Sequence, residues 1–397
     1  MSIGTNPELT LPQARSGDDS PEARQYSRIH RWLSITDTAL GIVFLVVLLA
    51  TGWTLGLRDM ALRLAHDHYV LALFVYVLLL TLLSKAISIP LDIFSFRLEH
   101  RFHLSNQTTA AWVVDELKGW LVGLVMATLL AELVYWIIRS SPAHWWLIAW
   151  VSFTLLFVVF AQLAPVVLFP IFYKFVPLED QELRNRLVNL SERAGTRVRG
   201  VYEWKLSEKS KKANAALTGL GNTRRIIVAD TLLQNYSHDE IEAVLAHELG
   251  HHVHGHIFKS IVLQMGITFI GFWAADQVLR YATYHAGMFP MLSDFANLPL
   301  LALVSAALSL LLLPALNAYS RYNERQADRY CWKSVPSVDP FITAMDKLSA
   351  QNLSEKSPSR VVEILFHSHP AVSKRIEDAR QFAGKTAVGT RQSAFGQ

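Results

Sequence analysis

Residues 243–256 read AVLAHELGHHVHGH. Within them His247, Glu248 and His251 form the pattern H-E-x-x-H. The run follows Ser237 and Glu240, a capping-box pair, and carries Ile241, Val244, Leu245 and Leu249 at helical spacing, which predicts a helix. On a helix, positions i and i+4 share a face, so both imidazoles reach one metal ion. Glu248 sits beside them, placed to take a proton from a water whose pKa the metal lowers toward ~7. A histidine-rich helix surface near lipid headgroups is the competing reading, and the capping box and apolar buried face weigh against it. His252, His254 and His256 are read as solvent or headgroup contacts, because a lone histidine needs a specific partner to matter.

A catalytic zinc needs a third protein ligand and one open position. Working outward from the motif, the strongest source is SRYNERQAD (320–328). Glu324 and Asp328 stand at i and i+4 on one face. One can bind the metal while the other hydrogen-bonds a liganding histidine. The alternative is a surface charge pattern with Arg321, Arg325 and Arg329 as salt-bridge partners, and the need for a third ligand favours the metal. The chain's 1 cysteine excludes an internal disulfide and a Cys-based zinc cluster.

Hydrophobic residues make up 51% of the 397 and charged residues 18%. That balance excludes a disordered protein, a coiled coil and most soluble enzymes, and points to a membrane protein with a substantial soluble part. Apolar stretches at 38–57 (TALGIVFLVVLLATGWTLGL), 69–84, 119–138, 145–173, 261–279 and 295–318 can each span ~30 Å of hydrocarbon, the second by extending past Lys85. A segment near 87–96 is a candidate seventh span or re-entrant turn. The expected fold is mainly α: a polytopic helical membrane protein of six, or seven, spans with a zincin-like metallopeptidase domain carrying a small β-sheet. Strands are expected at 198–206 and 225–229, with a third, edge strand at 211–221, and a helix at 180–194. The domains read as a disordered tail (1–30), a membrane domain with four spans (31–175) and a peptidase domain (176–397) interrupted by two spans.

Lys and Arg total 37 against 33 Asp and Glu, a net +4. No block is dense enough to suggest nucleic acid. With six spans, both termini and both large polar segments fall on the side richer in Lys and Arg, which is the cytoplasmic side of a bacterial inner or an ER-type membrane. The active site belongs near that membrane edge, since the H-E-x-x-H helix leads into the fifth span. Intramembrane Glu132 and Asp276 fit a water-filled interior, since charges facing lipid are costly.

HELGHHVHGH, followed by two apolar spans and SRYNERQAD, resembles the integral-membrane zinc metallopeptidases of the CAAX prenyl protease type 1 family and, more distantly, its HtpX-type heat-shock relatives. SIPLDIFSFRLEHRFHLSNQT (88–108) and VLFPIFYKFVPLEDQELRNRL (167–187) extend the resemblance to roughly residues 30–380. It implies one zinc ion per chain held by His247, His251 and Glu324, with Glu248 as general base and Asp328 as proton donor. Spacing alone favours a supporting role for Asp328 beside a ligand, and both roles are carried forward. KKANAALTG (211–219) is similar to the family's edge strand, on which a substrate peptide adds by backbone hydrogen bonding, with Asn214 orienting the scissile amide. His369 and Arg375 match the late H-P-x-x-x-x-R element and would hold the oxyanion or a substrate carboxylate. The family's eukaryotic members have seven spans.

The implied function is a membrane-embedded zinc endopeptidase acting on a peptide or protein substrate in the bilayer, lipidated (CAAX-type, prenylated) or membrane-associated. The alternatives are a quality-control protease without prenyl specificity, a metal transporter, and a non-catalytic scaffold. A transporter would place paired ligands inside the spans, whereas these residues sit at span ends and in polar segments.

Overall fold

The computed structural model of the chain describes residues 19–219 and 224–394. Helix α1 (Pro21–Ala50) begins at Ser20, whose Oγ accepts from Ala23 N, with Pro21 in the first turn, where a missing N–H costs nothing. Residues 21–30, expected to belong to a disordered tail, are therefore helical. Tyr26 anchors them by packing on Leu98 and Leu104. Residues 1–18 of that tail lie outside the described residues.

The apolar run 38–57 divides. Gly52, at φ +73°, turns the chain into α2 (Trp53–Leu64). Twelve residues rise about 18 Å, too little to span the hydrocarbon. Helix α3 (Tyr69–Arg101) runs unbroken through Lys85 and Pro90, so residues 87–96 form neither a re-entrant turn nor a seventh span. Lys85 Nζ is satisfied there by Asp92 at 2.8 Å and Glu116 at 2.5 Å. Helices α4 (Thr109–Ser140) and α5 (Trp145–Leu163) follow, then a π-helical turn, Ala164–Leu168, and the short α6 (Phe169–Phe172). Two prolines interrupt the apolar run here, so the regular helix stops at Leu163.

The next segment builds a four-stranded mixed sheet in the order β1-β2-β4-β3. Its strands are β1 (Phe175–Pro177), β2 (Val201–Trp204), β3 (Ala215–Thr218) and β4 (Arg225–Ala229). β2 runs parallel to β4, and β3 antiparallel to it. β3 is the sheet edge expected within 211–221; residues 220 and 221 fall outside the described residues. Helix α7 (Gln181–Arg193), capped by Asp180, precedes β2. The short α8 (Asp230–Asn235) leads to α9 (His238–Val253), whose capping box of Ser237 and Glu240 is fully formed. Leu183, Leu187, Ile226, Ile241, Leu245 and Leu249 bury α7, the sheet and α9 in one core with Trp332 and Phe341.

Two more apolar helices, α10 (His256–Arg280) and α11 (Leu298–Ser334), return the chain to this core. Among the described residues, six helices are long and apolar enough to cross a membrane. α11 has 37 residues, about 55 Å, so its final turns project beyond a ~30 Å core into the peptidase domain. Helices α12 (Asp339–Gln351), α13 (Arg360–Phe366) and α14 (Val372–Ala394) complete the fold.

One end of the membrane bundle carries the peptidase domain. There the α3–α4 loop latches onto the segment before β3: Asn106 N donates to Lys209 O at 3.0 Å and Lys211 N to Leu104 O at 2.9 Å. The start of α1 joins the same end, Ser27 Oγ donating to Leu353 O. At the opposite end, Tyr69 OH donates to Ser293 O and Arg280 to Pro142 O. Asp276, expected to need a water-filled interior, is satisfied by protein, accepting from Trp145 Nε1 and Arg280 Nε. Glu132 Oε1 is buried without a partner among the described residues. Between the spans lies a largely apolar cavity of about 590 Å³, with Thr81, Gln264, Thr268, Ser305 and Ser309 as its polar lining.

Candidate active site

The site forms where α9 crosses α11. Gly250 on α9 faces Ala327 on α11 so closely that a Cβ on Gly250 would lie 2.8 Å from Ala327 Cα and 2.9 Å from its carbonyl oxygen. His247 and His251 flank Gly250 on one face, and Glu324 and Asp328 flank Ala327 on the other. The absent side chain therefore sets the distance between the two donor pairs. Gly250→Ala is expected to cost about 1–3 kcal/mol by overpacking and to weaken metal binding by pushing the pairs apart. Thermal unfolding and a chelator-competition titration check both; unchanged metal affinity would break the link between crossing and site.

One ligand atom from each of His247, His251 and Glu324 lies within 4.8 Å of the others. His247 Nε2 is 3.3 Å from Glu324 Oε2, and His251 Nε2 is 3.2 Å from Glu324 Oε1. Glu324 Oε2 is buried and has no hydrogen bond of good geometry, although His369 Nδ1 stands 2.8 Å away. A buried carboxylate whose two oxygens each face an imidazole nitrogen, one of them left without a hydrogen bond, is a donor set that fits a divalent cation.

Asp328, for which proton donation and support of a histidine were both expected, is 2% exposed and fully engaged. Its Oδ1 is 2.8 Å from His247 Nδ1. Arg375 Nε and a terminal nitrogen donate to its two oxygens at 2.8 and 2.6 Å. Burial disfavours a charged His247, but Asp328 and Glu324 outweigh it and push its pKa up to about 9.

Arg375, expected at an oxyanion or a substrate carboxylate, is 8% exposed and turned inward onto Asp328. His369 stays exposed at the mouth of the site. Its loop is shaped by Arg321, which donates to the carbonyls of Glu363 and His367 at 2.8 and 2.7 Å. The surface salt-bridge reading of Arg321 is thus replaced by a backbone clamp. Glu248 is half-buried between buried neighbours on α9, the open position of its turn.

Asn214 is exposed at the start of β3, and its carbonyl accepts from Ala229 N at 3.0 Å. Asn352 grips the preceding residue, accepting from Ala213 N at 2.9 Å and donating to Ala213 O at 3.2 Å. Sequence reading missed Asn352, since no spacing ties residue 352 to residue 213. It also misassigned His256, which is 4% exposed. α9 does not run into the fifth span: Gly255, at φ +66°, separates it from α10.

Comparison with known proteins places the chain in a family. Residues 177–383 match peptidase family M48, and residues 10–174 match the CAAX prenyl protease N-terminal family, described as five membrane helices. Among the described residues of that segment are four candidate spans and the short α2. An uncharacterized metalloprotease of Bacillus subtilis, YhfN, is 31% identical over 90% of this chain and 85% of its own. CAAX prenyl protease 1 of Saccharomyces cerevisiae is 28% identical over 75% of this chain and 70% of its own. The crystal structure of S. mikatae Ste24p superposes with a TM-score of 0.81 at 25% identity, covering 90% of this chain and 88% of that one. The chain belongs to peptidase family M48 and is an integral-membrane metalloprotease of the CAAX prenyl protease type.

Proposed function

We propose that the chain is a zinc-dependent endopeptidase that hydrolyses peptide bonds of membrane-associated proteins, with lipidated, CAAX-type tails as its substrate class. The observation that carries this reading is the convergence of His247, His251 and Glu324 around one point, next to Glu248. Those three side chains would hold one zinc ion per chain, which when bound would supply Lewis acidity and a lowered pKa for water. Glu248 takes the proton of the attacking water and delivers it to the leaving nitrogen. Asp328 and Arg375 hold the His247 ring. His369 donates toward the oxyanion from the open side. The substrate backbone adds to the free edge of β3, with Asn214 at the scissile amide.

The apolar cavity between the spans supports the lipidated class, since it offers hydrocarbon-lined space inside the membrane domain. The excess of Lys and Arg on the peptidase side supports a cytoplasmic active site and termini.

Purified protein in nanodiscs should bind one zinc and cleave a farnesylated CAAX peptide with kcat/KM about 10-fold or more above its unprenylated twin, as burial of a few methylenes dictates. Equal rates would move the substrate class to unprenylated chains. Protein without zinc would sink the metal reading itself.

A further inference from the structure

His256 is buried beside the metal site, yet nothing in the proposed chemistry uses it. Its place depends on a break in the helix. Five residues along a continuous helix, a side chain lies about 140° around the axis from His251. The left-handed Gly255 interrupts that path and swings His256 back over the ring. His251 Nδ1 and His256 Nδ1 are 3.0 Å apart. On the far side, His256 Nε2 is 2.8 Å from Gln326 Oε1, and Gln326 Nε2 donates to Tyr322 OH at 2.9 Å.

We propose that His256, Gln326 and Tyr322 form a neutral relay that fixes the Nδ1–H tautomer of His251 and so presents its Nε2 lone pair to the metal. An amide oxygen only accepts, so His256 Nε2 carries the proton and donates. The other nitrogen of a neutral imidazole is then the acceptor. His251 Nδ1 must therefore donate to it, leaving Nε2 bare on the side that faces Glu324 Oε1 at 3.2 Å. At the other end of the amide, Tyr322 OH accepts from Gln326 Nε2. The two metal-facing rings are thus oriented differently, His247 by the charged Asp328–Arg375 pair and His251 by an uncharged chain. His256 is a positioning residue, acting through His251.

This inference rests on the reading of His247, His251 and Glu324 as metal ligands. Its test is zinc affinity by chelator competition, with the absorption spectrum of the cobalt-substituted protein alongside. His256→Ala is expected to weaken zinc binding about 10–100-fold, the usual cost of losing such a partner, and to alter the cobalt bands. His256→Asn, whose side-chain oxygen can stand where Nδ1 stood, should recover most of the loss. Gln326→Leu should weaken binding in the same direction. Gln326→Glu, which can only accept, should retain wild-type affinity. Melting of the metal-free protein separates a merely structural role, which would lower that midpoint without changing affinity. Wild-type zinc affinity and cobalt spectrum in His256→Ala would overturn the relay. Wild-type affinity in Gln326→Leu would remove Gln326 and Tyr322 from the relay. Wild-type protein that takes up no zinc would instead remove the ligand reading beneath both.

Discussion

Glu248→Gln should leave the protein folded and loaded with one zinc, yet lower peptide hydrolysis about 100- to 10,000-fold, the contribution expected of a positioned general base. At 1.36 kcal/mol per decade this is roughly 3–5 kcal/mol of barrier. The substitution preserves size and leaves the three proposed ligands untouched. It removes only the ability to accept a proton, at a half-buried position where no salt bridge involves Glu248 among the described residues. KM should therefore change little while kcat falls. The informative pair of measurements is single-turnover cleavage and zinc content on the same preparation. Zinc lost together with activity would give Glu248 a structural part in the site. Activity retained with zinc bound would hand the base role to another group, and His369, exposed beside Glu324, would be the first to examine.

Much of this site was legible because its information is local. H-E-x-x-H needs only helical periodicity to bring two rings to one face. Glu324 and Asp328 obey the same rule on the extension of the sixth span. β4, a short run of buried aliphatic residues, and α7, with its Asp180 cap, likewise follow from local pattern. The misreadings share the opposite property. Residues 21–30 look polar in isolation and become helical through Tyr26 meeting Leu98 and Leu104 from other segments. His256 looked like one more surface histidine because the helix was assumed to continue through Gly255. Arg321 looked like a surface charge, although its partners lie 42 and 46 residues away in sequence. Periodicity carries no record of such contacts. The resemblance placed the late H-P-x-x-x-x-R element at the site, but not which way its arginine turns.

That direction is open to the other large test, Arg375→Leu. The guanidinium is buried, makes two hydrogen bonds to Asp328, lies 3.8 Å from Glu324 and stands 5.7 Å over the Phe341 ring. Leucine fills part of that volume but strands Asp328, itself 2% exposed, without its cation. Breaking one side of a buried ion pair costs about 3–5 kcal/mol, because the remaining charge is left desolvated. A marked fall in thermal midpoint and weaker zinc binding should appear together, since Asp328 also orients His247. Arg375→Lys should recover only part of both: an ammonium supplies the charge but not the planar fork. The double variant Asp328→Leu, Arg375→Leu should be more stable than Arg375→Leu alone, because it removes the stranded charge along with its partner. It should still bind zinc poorly, because nothing then holds His247 Nδ1. A thermal midpoint unchanged in Arg375→Leu, with a defect confined to KM for peptides bearing a free carboxylate, would instead mean that the arginine swings out to meet substrate. Stability and zinc affinity falling together, without a substrate-specific KM effect, would make Arg375 part of the scaffold that aims the metal site.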